Sequence, residues 1–179
     1  MLHRPVGTVI GMSDVKRRRL ALPVACHPDI KVGECVPFYF CPRSVMLYVI
    51  HCANHPALAS AGGQSGIVHL EADLREVAAW AARESVRWSF TTMNAAIGTA
   101  AFFDDLDFLD KIDWDAVHAR QWRDRRDAKQ AEFLVHRRFP WHLIERVGIH
   151  SKAVAPRLEA ALAGAAHRPP VAIRPSWYY

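Results

Sequence analysis

The segment Gln130-Ala131-Glu132-Phe133-Leu134-Val135 places a carboxylate at the head of an apolar run. The apolar residues predict a strand, and the charged residues 123–129 before them predict a loop. Glu132 then has two interpretations. It is either a solvated strand-end glutamate paired with a nearby arginine, or a carboxylate that a rigid strand holds at the mouth of a cleft, behind a basic loop.

A second informative stretch, residues 36–48, combines apolar residues with tyrosine and arginine. Residues 36–40 predict a short strand, and residues 46–51 predict a second apolar strand or a buried segment, with a proline turn between them. Most of the apolar side chains here are expected to pack in the core. Tyr39 and Arg43 alternate with them, and a tyrosine face can stack on the flat ring of a ligand.

The third feature is the basic run Lys16-Arg17-Arg18-Arg19, which we expect in an irregular N-terminal stretch. A charge run of this kind is usually a solvated surface. The alternative is a phosphate site, because guanidinium groups bind phosphates through forked hydrogen bonds.

The remaining pattern predicts the fold class. Asp73 is the predicted N-cap of a helix with apolar residues at helical spacing, and residues 88–91 and 171–173 predict strands. Many short strands mixed with a few helices favour an α+β fold over regular βαβ alternation. A length of 179 residues predicts one domain spanning residues 1–179.

Composition narrows the function classes. Hydrophobic residues make up 51% and charged residues 23%, which excludes a disordered chain. The net charge of +5 and the pI near 9.3 favour an anionic partner, either a nucleic acid or a phosphorylated cofactor. No apolar stretch approaches the roughly 18 residues of a membrane span, and the first residues lack an apolar signal region. We therefore expect a cytoplasmic protein without a membrane partner.

Cysteine and histidine residues are concentrated between positions 26 and 55. None of them has a CxxC or HExxH spacing, so the sequence predicts no metal site, and the four cysteines are expected to stay reduced. The chain also lacks a GxSxG elbow, a Walker A loop and a GxGxxG motif.

Several segments together resemble the DarT family of DNA ADP-ribosyltransferase toxins, which act in DarT–DarG toxin–antitoxin pairs. The matching segments run in family order along nearly the whole chain and are Ile10–Arg19, Val36–Tyr48, Asp113-Trp114, Trp122, Lys129–Val135 and Trp177-Tyr178-Tyr179. The Val-Pro-Phe-Tyr-Phe…Pro-Arg-Ser and Gln-Ala-Glu-Phe-Leu-Val blocks are the specific ones.

The resemblance implies an ADP-ribosyltransferase-like α+β fold, with two small sheets flanked by helices around an NAD cleft. It implies NAD as the ADP-ribose donor, thymidine in single-stranded DNA as the acceptor, and a DarG-like macrodomain antitoxin as partner. Glu132 and Arg19 are the implied catalytic residues. The predicted NAD-binding residues are Arg19, Tyr39, Arg43 and Met46. The predicted DNA-binding residues are Asn94, Arg123, Arg125, Arg126 and Lys129.

One departure from the family concerns the N-terminus. Family members have a preceding segment, with a histidine-containing strand and a short helix, that contributes to NAD binding. Here Met1 lies only a few residues before Ile10-Gly11, and His3 is too close to that block to be the missing histidine. We expect either a start assigned too late or a truncated chain with weakened NAD binding. The alternatives are thus an active enzyme, an inactive relative that only binds DNA or antitoxin, and a transferase with an RNA or protein acceptor.

Overall fold

The computed structural model describes residues 13–52 and 63–179. The helices are α1 (Ser13–Ala21), α2 (Val45–Cys52), α3 (Leu74–Arg83), α4 (Trp114–His118) and α5 (Ala155–Leu162). The strands are β1 (Pro23–Val24), β2 (His27–Lys31), β3 (Cys35–Tyr39), β4 (His69–Glu71), β5 (Trp88–Thr91), β6 (Phe102–Phe103), β7 (Glu132–His136), β8 (Arg146–Ile149) and β9 (Val171–Ile173). This mixture of short strands and helices confirms the predicted α+β class.

The largest sheet has the strand order β3-β7-β5-β6, and all its neighbours are antiparallel. Because side chains alternate along a strand, Glu132 and Leu134 of β7 lie on one face, and Phe133 and Val135 lie on the other. Phe133 and Val135 pack in the main core with residues of α3, whereas Leu134 packs in a second core with Val24 and other residues of the β1–β2 region. The apolar run in β7 is therefore explained by a strand that is covered on both faces.

The second sheet has the order β4-β8-β9, in which β4 is antiparallel and β9 parallel to β8. Its core residues Ile144, Val147 and Ile149 pack against Leu158 of α5. Strands β1 and β2 form a separate two-stranded ribbon. The predicted pair of small sheets is thus present, and the ribbon adds a third pairing that the sequence did not predict.

Residues 46–51 form most of helix α2, not the apolar strand that was one of the two predictions for them. The Ser44 hydroxyl accepts a hydrogen bond from the Leu47 backbone N–H at 3.1 Å, which is the geometry of a helix N-cap. Val45, Leu47 and Ile50 are buried. An apolar run this short fits a strand and a buried helix equally well, so periodicity alone was not decisive.

The basic run Lys16–Arg19 lies in helix α1, which corrects the prediction of an irregular stretch. Helix α1 packs closely on the turn at Val32–Glu34. A Cβ atom on Gly33 would lie 2.8 Å from Leu20 Cδ2 and 2.9 Å from Leu20 Cα, so a residue without a side chain is needed there. The close approach fixes where the last turn of α1, and with it Arg19, meets the rest of the molecule.

Asp73 caps α3 as predicted, since its carboxylate accepts hydrogen bonds from the N–H groups of Arg75 and Glu76. Residues 88–91 and 171–173 are strands, also as predicted. The first residues of the matching block Ile10–Arg19, Ile10–Met12, lie outside the described residues. Among the described residues, no helix is long and apolar enough to cross a membrane.

Candidate active site

Glu132 occupies the first position of β7 and is only 1% exposed. Its Oε1 accepts a hydrogen bond from Arg19 Nη1 at 2.9 Å and a second from the Ala95 backbone N–H at 3.2 Å. Burying a carboxylate is costly unless a cation and hydrogen bonds offset the loss of water. Here a helix, a loop and a strand that are far apart in sequence each contribute to holding one carboxylate.

Arg19 approaches Glu132 from the last turn of α1. Its Nη2 lies 2.9 Å from Glu132 Oε2, which is an ion-pair contact, but the angle does not meet hydrogen-bond geometry. Nη2 is buried and has no hydrogen-bond partner among the described residues. The two terminal nitrogens of the guanidinium thus face the two oxygens of the carboxylate.

The backbone around Glu132 is fixed by a threonine. The Thr91 hydroxyl accepts a hydrogen bond from the Glu132 N–H at 3.1 Å and donates one to the Met93 carbonyl at 2.6 Å. Thr91 is fully buried at the end of β5. The same hydroxyl therefore ties the head of β7 to the loop that supplies the Ala95 N–H.

A cavity of about 740 Å³ lies between the two sheets. It is lined by β3, which is an edge strand of the first sheet, and by β4, which is an edge strand of the second. Residues of α2 close another side. Ligand pockets are commonly about 300–1,000 Å³, so a dinucleotide is of a suitable size for this cavity.

Two of the predicted NAD-binding residues, Tyr39 and Met46, line this cavity. Tyr39 pairs directly with Glu132 across the β3–β7 ladder, so both side chains lie on the same sheet face. Desolvation raises the pKa of the Tyr39 phenol, and the neighbouring Glu132 carboxylate raises it further, so the phenol stays neutral. Tyr39 thus lines the cavity and neighbours the buried carboxylate, whereas Glu132 and Arg19 do not themselves line the cavity.

Arg43, also predicted to bind NAD, does not line the cavity, although its neighbours Pro42 and Ser44 do. Its guanidinium carbon lies 4.3 Å from the centre of the Tyr179 ring, and the Tyr179 hydroxyl donates to the Arg43 carbonyl at 2.9 Å. Arg43 is therefore held at the rim of the cavity by a cation–π contact.

The predicted DNA-binding arginines Arg123, Arg125 and Arg126 are exposed on the short turns that lead to β7. Trp122, which precedes them, packs edge-on against Tyr48 of α2, with ring centroids 5.3 Å apart. The turn thus presents cations outward while its aromatic residue anchors it to the helix beside the cavity.

Lys129 has different surroundings from those expected of a DNA contact, whereas Asn94 stays a prediction. Lys129 is 2% exposed, and its Nζ donates to the Val117 carbonyl at 2.8 Å and lies 3.8 Å from Cys41 Sγ. It faces the interior, so we do not retain it as a phosphate ligand. Asn94 donates from Nδ2 to Gln130 Oε1 at 3.1 Å, which joins the loop after β5 to the segment before Glu132.

The chemistry open to this arrangement follows from its charges. A buried carboxylate with one bound cation can stabilise a developing positive charge or accept a proton. The rim arginine, Arg43, can hold anionic oxygens through forked hydrogen bonds, and the cavity can hold a flat ring. A substrate that donates a phosphate-linked sugar and releases an aromatic leaving group would match these three features. Its sugar would face the carboxylate, its phosphates the arginine and its ring the cavity.

Comparison with known proteins gives consistent matches. The family model described as "ssDNA thymidine ADP-ribosyltransferase, DarT" matches residues 2–179. A DNA ADP-ribosyl transferase of Thermus aquaticus is 37% identical over 177 residues, covering 98% of this chain and 77% of the relative. The structure of Thermus sp. 2.9 DarT in complex with ADP-ribosylated ssDNA has a TM-score of 0.89 at 35% identity, covering 99% of this chain and 84% of that chain. The complex of Thermus sp. 2.9 DarT with NAD+ has a TM-score of 0.75 at 32% identity, covering 92% and 90%.

The fold is thus that of an ADP-ribosyltransferase, which confirms the predicted fold class. More narrowly, the chain belongs to the DarT family of DNA ADP-ribosyltransferases. The predicted enzyme class, an NAD-dependent DNA ADP-ribosyltransferase, is confirmed with it. The roles of individual residues stay predictions.

Sequence reasoning missed several contributors to the site. Thr91 and the backbone N–H of Ala95 both contact Glu132 from about forty positions away in the chain. A buried threonine at the end of a strand carries no local signal of such a contact, and a backbone donor carries none at all. Gly33 was also missed, because its requirement arises from the approach of another element.

Proposed function

We propose that this protein transfers ADP-ribose from NAD to thymidine in single-stranded DNA and acts as the toxin of a toxin–antitoxin pair. The observation that carries the proposal is the buried Glu132 carboxylate, which Arg19 and the Ala95 N–H hold at the head of β7, directly opposite the cavity-lining Tyr39. Family membership and the single-stranded DNA in the complex of Thermus sp. 2.9 DarT support DNA as the acceptor.

The proposed chemistry assigns one task to each group. NAD supplies the ADP-ribose group and nicotinamide as the leaving group. The bond between the ribose carbon and nicotinamide breaks with its electron pair on nicotinamide, and the thymine ring nitrogen forms the new bond to that carbon. Glu132 stabilises the positive charge on the ribose and takes the proton from the thymine nitrogen. Arg19 and Arg43 hold the phosphates, and Tyr39 and Met46 line the ring site, so the ribose carbon faces its nucleophile.

On the DNA side, we propose that Arg123, Arg125 and Arg126 bind backbone phosphates. They are exposed, and they lead directly into the segment that ends at Glu132. Asn94 is proposed to approach the target nucleotide from the neighbouring loop. A single-stranded acceptor avoids much of the cost of taking a base out of a duplex.

Further proposals concern the setting of the enzyme. A cytoplasmic location would give it both NAD and DNA. A DarG-like macrodomain antitoxin is the proposed partner, because DarT enzymes act in pairs with such antitoxins. Loss of the added mass from a modified oligonucleotide after incubation with the macrodomain would support that pairing.

The test is mass spectrometry of a thymidine-containing single-stranded oligonucleotide after incubation with the protein and NAD. We expect a gain of one ADP-ribose, and a reduction of about a hundredfold or more for Glu132→Gln, because general acid–base groups contribute roughly 10²–10⁴-fold. Glu159→Gln, a matched change at an exposed position of α5, is expected to leave transfer unchanged. Undiminished transfer by Glu132→Gln would sink the catalytic assignment. If RNA or protein is modified and the oligonucleotide is not, the assignment of DNA as the acceptor is wrong.

A further inference from the structure

A cysteine, a histidine and an aspartate come together outside the cavity. The Cys26 thiol, the His27 ring and the Asp104 carboxylate place their ligand atoms within 4.8 Å of one another. Cys26 and His27 form the turn and the start of the second strand of the β1–β2 ribbon, whereas Asp104 directly follows β6. Their positions in the sequence match no zinc-motif spacing, because only the tertiary fold brings Asp104 to the ribbon.

A fourth donor lies beside the same histidine nitrogen. His27 Nε2 is 3.6 Å from Asp104 Oδ2 and 3.1 Å from the Trp88 carbonyl oxygen. Bonds from Zn²⁺ to nitrogen, oxygen and sulfur ligands are about 2.0–2.3 Å, so neighbouring ligand atoms stand roughly 3–4 Å apart. Small side-chain movements therefore bring the donors to coordinating positions around one point.

We propose that Cys26, His27 and Asp104 form a binding site for a zinc-like divalent transition metal ion, with the Trp88 carbonyl as an available fourth ligand. A mixed set of sulfur, nitrogen and oxygen donors favours this class of ion over Mg²⁺ or Ca²⁺, which prefer oxygen ligands alone. Two anionic ligands, thiolate and carboxylate, balance the double charge of the ion.

Binding has a defined proton balance. The Cys26 thiol loses its proton to solvent when Sγ coordinates the ion. His27 must offer a bare Nε2, so its ring proton resides on Nδ1 in the bound form. The Asp104 carboxylate coordinates the ion in its ionised form, so it releases no proton. No oxidant or reductant takes part in the step.

The site is structural and separate from the transfer chemistry. Trp88 begins β5, and Thr91, which holds the Glu132 backbone, ends it, so about 10 Å of strand separates the two ends. The ion links the β1–β2 ribbon to the end of β6. The Val32 N–H, just after the ribbon, donates to the Leu22 carbonyl, just after α1, so the metal stiffens the support of the helix that carries Arg19.

The experiment uses the full chain, reduced and freed of metal with a chelator, then titrated with Co²⁺ and separately with Zn²⁺. We expect one ion per chain, a thiolate-to-cobalt charge-transfer absorption band, and a higher melting temperature with Zn²⁺. Cys26→Ser is expected to remove the band. Asp104→Asn, an exposed change that spares the core, is expected to weaken binding about tenfold or more.

Cys52→Ser is the matched control, because Cys52 is an exposed cysteine outside the cluster, and the band should survive in it. A band that persists in Cys26→Ser would overturn the proposal. So would the absence of both the band and the thermal shift in the unmodified chain, because the three side chains would then be neighbours that bind no ion. A band lost in Cys35→Ser but kept in Cys26→Ser would move the site to the other thiol and also contradict it.

Discussion

Arg19 and Glu132 depend on each other because water reaches neither side chain freely. The exposed fraction of the side chain is 15% for Arg19 and 2% for Glu132. Removing one partner of such a pair leaves a buried charge without compensation, which commonly costs about 3–5 kcal/mol. The pair therefore serves both the stability of the β7 head and the proposed chemistry.

This dependence predicts a sharp difference between adjacent arginines of α1. Arg19→Ala is expected to lower kcat/KM for ADP-ribose transfer by about 10²–10³-fold, the usual loss when a donor to a developing charge is removed. Arg18→Ala, a change at an exposed position one residue earlier, is expected to stay close to the unmodified rate. Rates come from mass spectrometry of the oligonucleotide product.

Arg19→Lys refines the same experiment. A lysine keeps the charge but loses the fork that reaches both carboxylate oxygens, so we expect only partial recovery. Equal losses from the Arg18 and Arg19 variants would mean that α1 acts as a diffuse basic surface and not through the Glu132 contact.

Among the elements, α1 matters most for the site because its contact with the Val32–Glu34 turn leaves no space. We expect Gly33→Ala to push α1 away, since the new Cβ would meet the Leu20 backbone at 2.9 Å. Overpacking of this kind typically costs about 1–3 kcal/mol of unfolding free energy. Because Arg19 adjoins Leu20, transfer should fall by more than the loss of folded protein explains.

Gly164→Ala provides the comparison, because a Cβ added at Gly164 would have no neighbouring atom within 4 Å. Chemical denaturation gives the free energies of unfolding, and initial rates on folded protein give the transfer activity. A Gly33→Ala variant with full activity and unchanged stability would contradict this prediction. It would mean that α1 accommodates the added methyl group without displacing Arg19.

The elements also show how far sequence patterns reach. Strand β7 and the capped helix α3 were predictable, because β7 is a bounded apolar run and Asp73 is a strong local cap signal. Helix α2 was not predictable, because its eight residues fit the periodicity of a helix and that of a strand equally well. Glu132 was singled out by its place at a strand head, whereas Thr91 and Ala95 were invisible, because only the tertiary fold brings them to it.

At the scale of the whole molecule, the excess of positive charge is useful only where it is exposed near the acceptor. The net charge of +5 is spread over many residues, and buried Lys129 contributes to packing and not to the surface. We propose the three exposed arginines before β7 as the cations that contact a DNA backbone.

Salt dependence tests that placement. Replacing Arg123, Arg125 and Arg126 with glutamine is expected to reduce the slope of log K against log salt for single-stranded DNA by about 2, since each phosphate contact contributes roughly 0.7. The control replaces Arg75, Arg83 and Arg157, exposed residues of α3 and α5, and changes the net charge equally. Fluorescence anisotropy of a labelled oligonucleotide, titrated at several salt concentrations, measures the slope for each triple variant. Identical slopes for the two triple variants would attribute binding to overall charge.

The ladder between β3 and β7 has a consequence for how such a protein can lose its activity. Five pairings set Tyr39 opposite Glu132. Because neighbouring side chains point to opposite faces, inserting or deleting one codon in β3 would turn Tyr39 away from the carboxylate in a single step. A one-residue insertion or deletion in β3 is therefore expected to abolish the activity. A substitution that only changes the size of a β3 side chain keeps the register and is expected to weaken the activity.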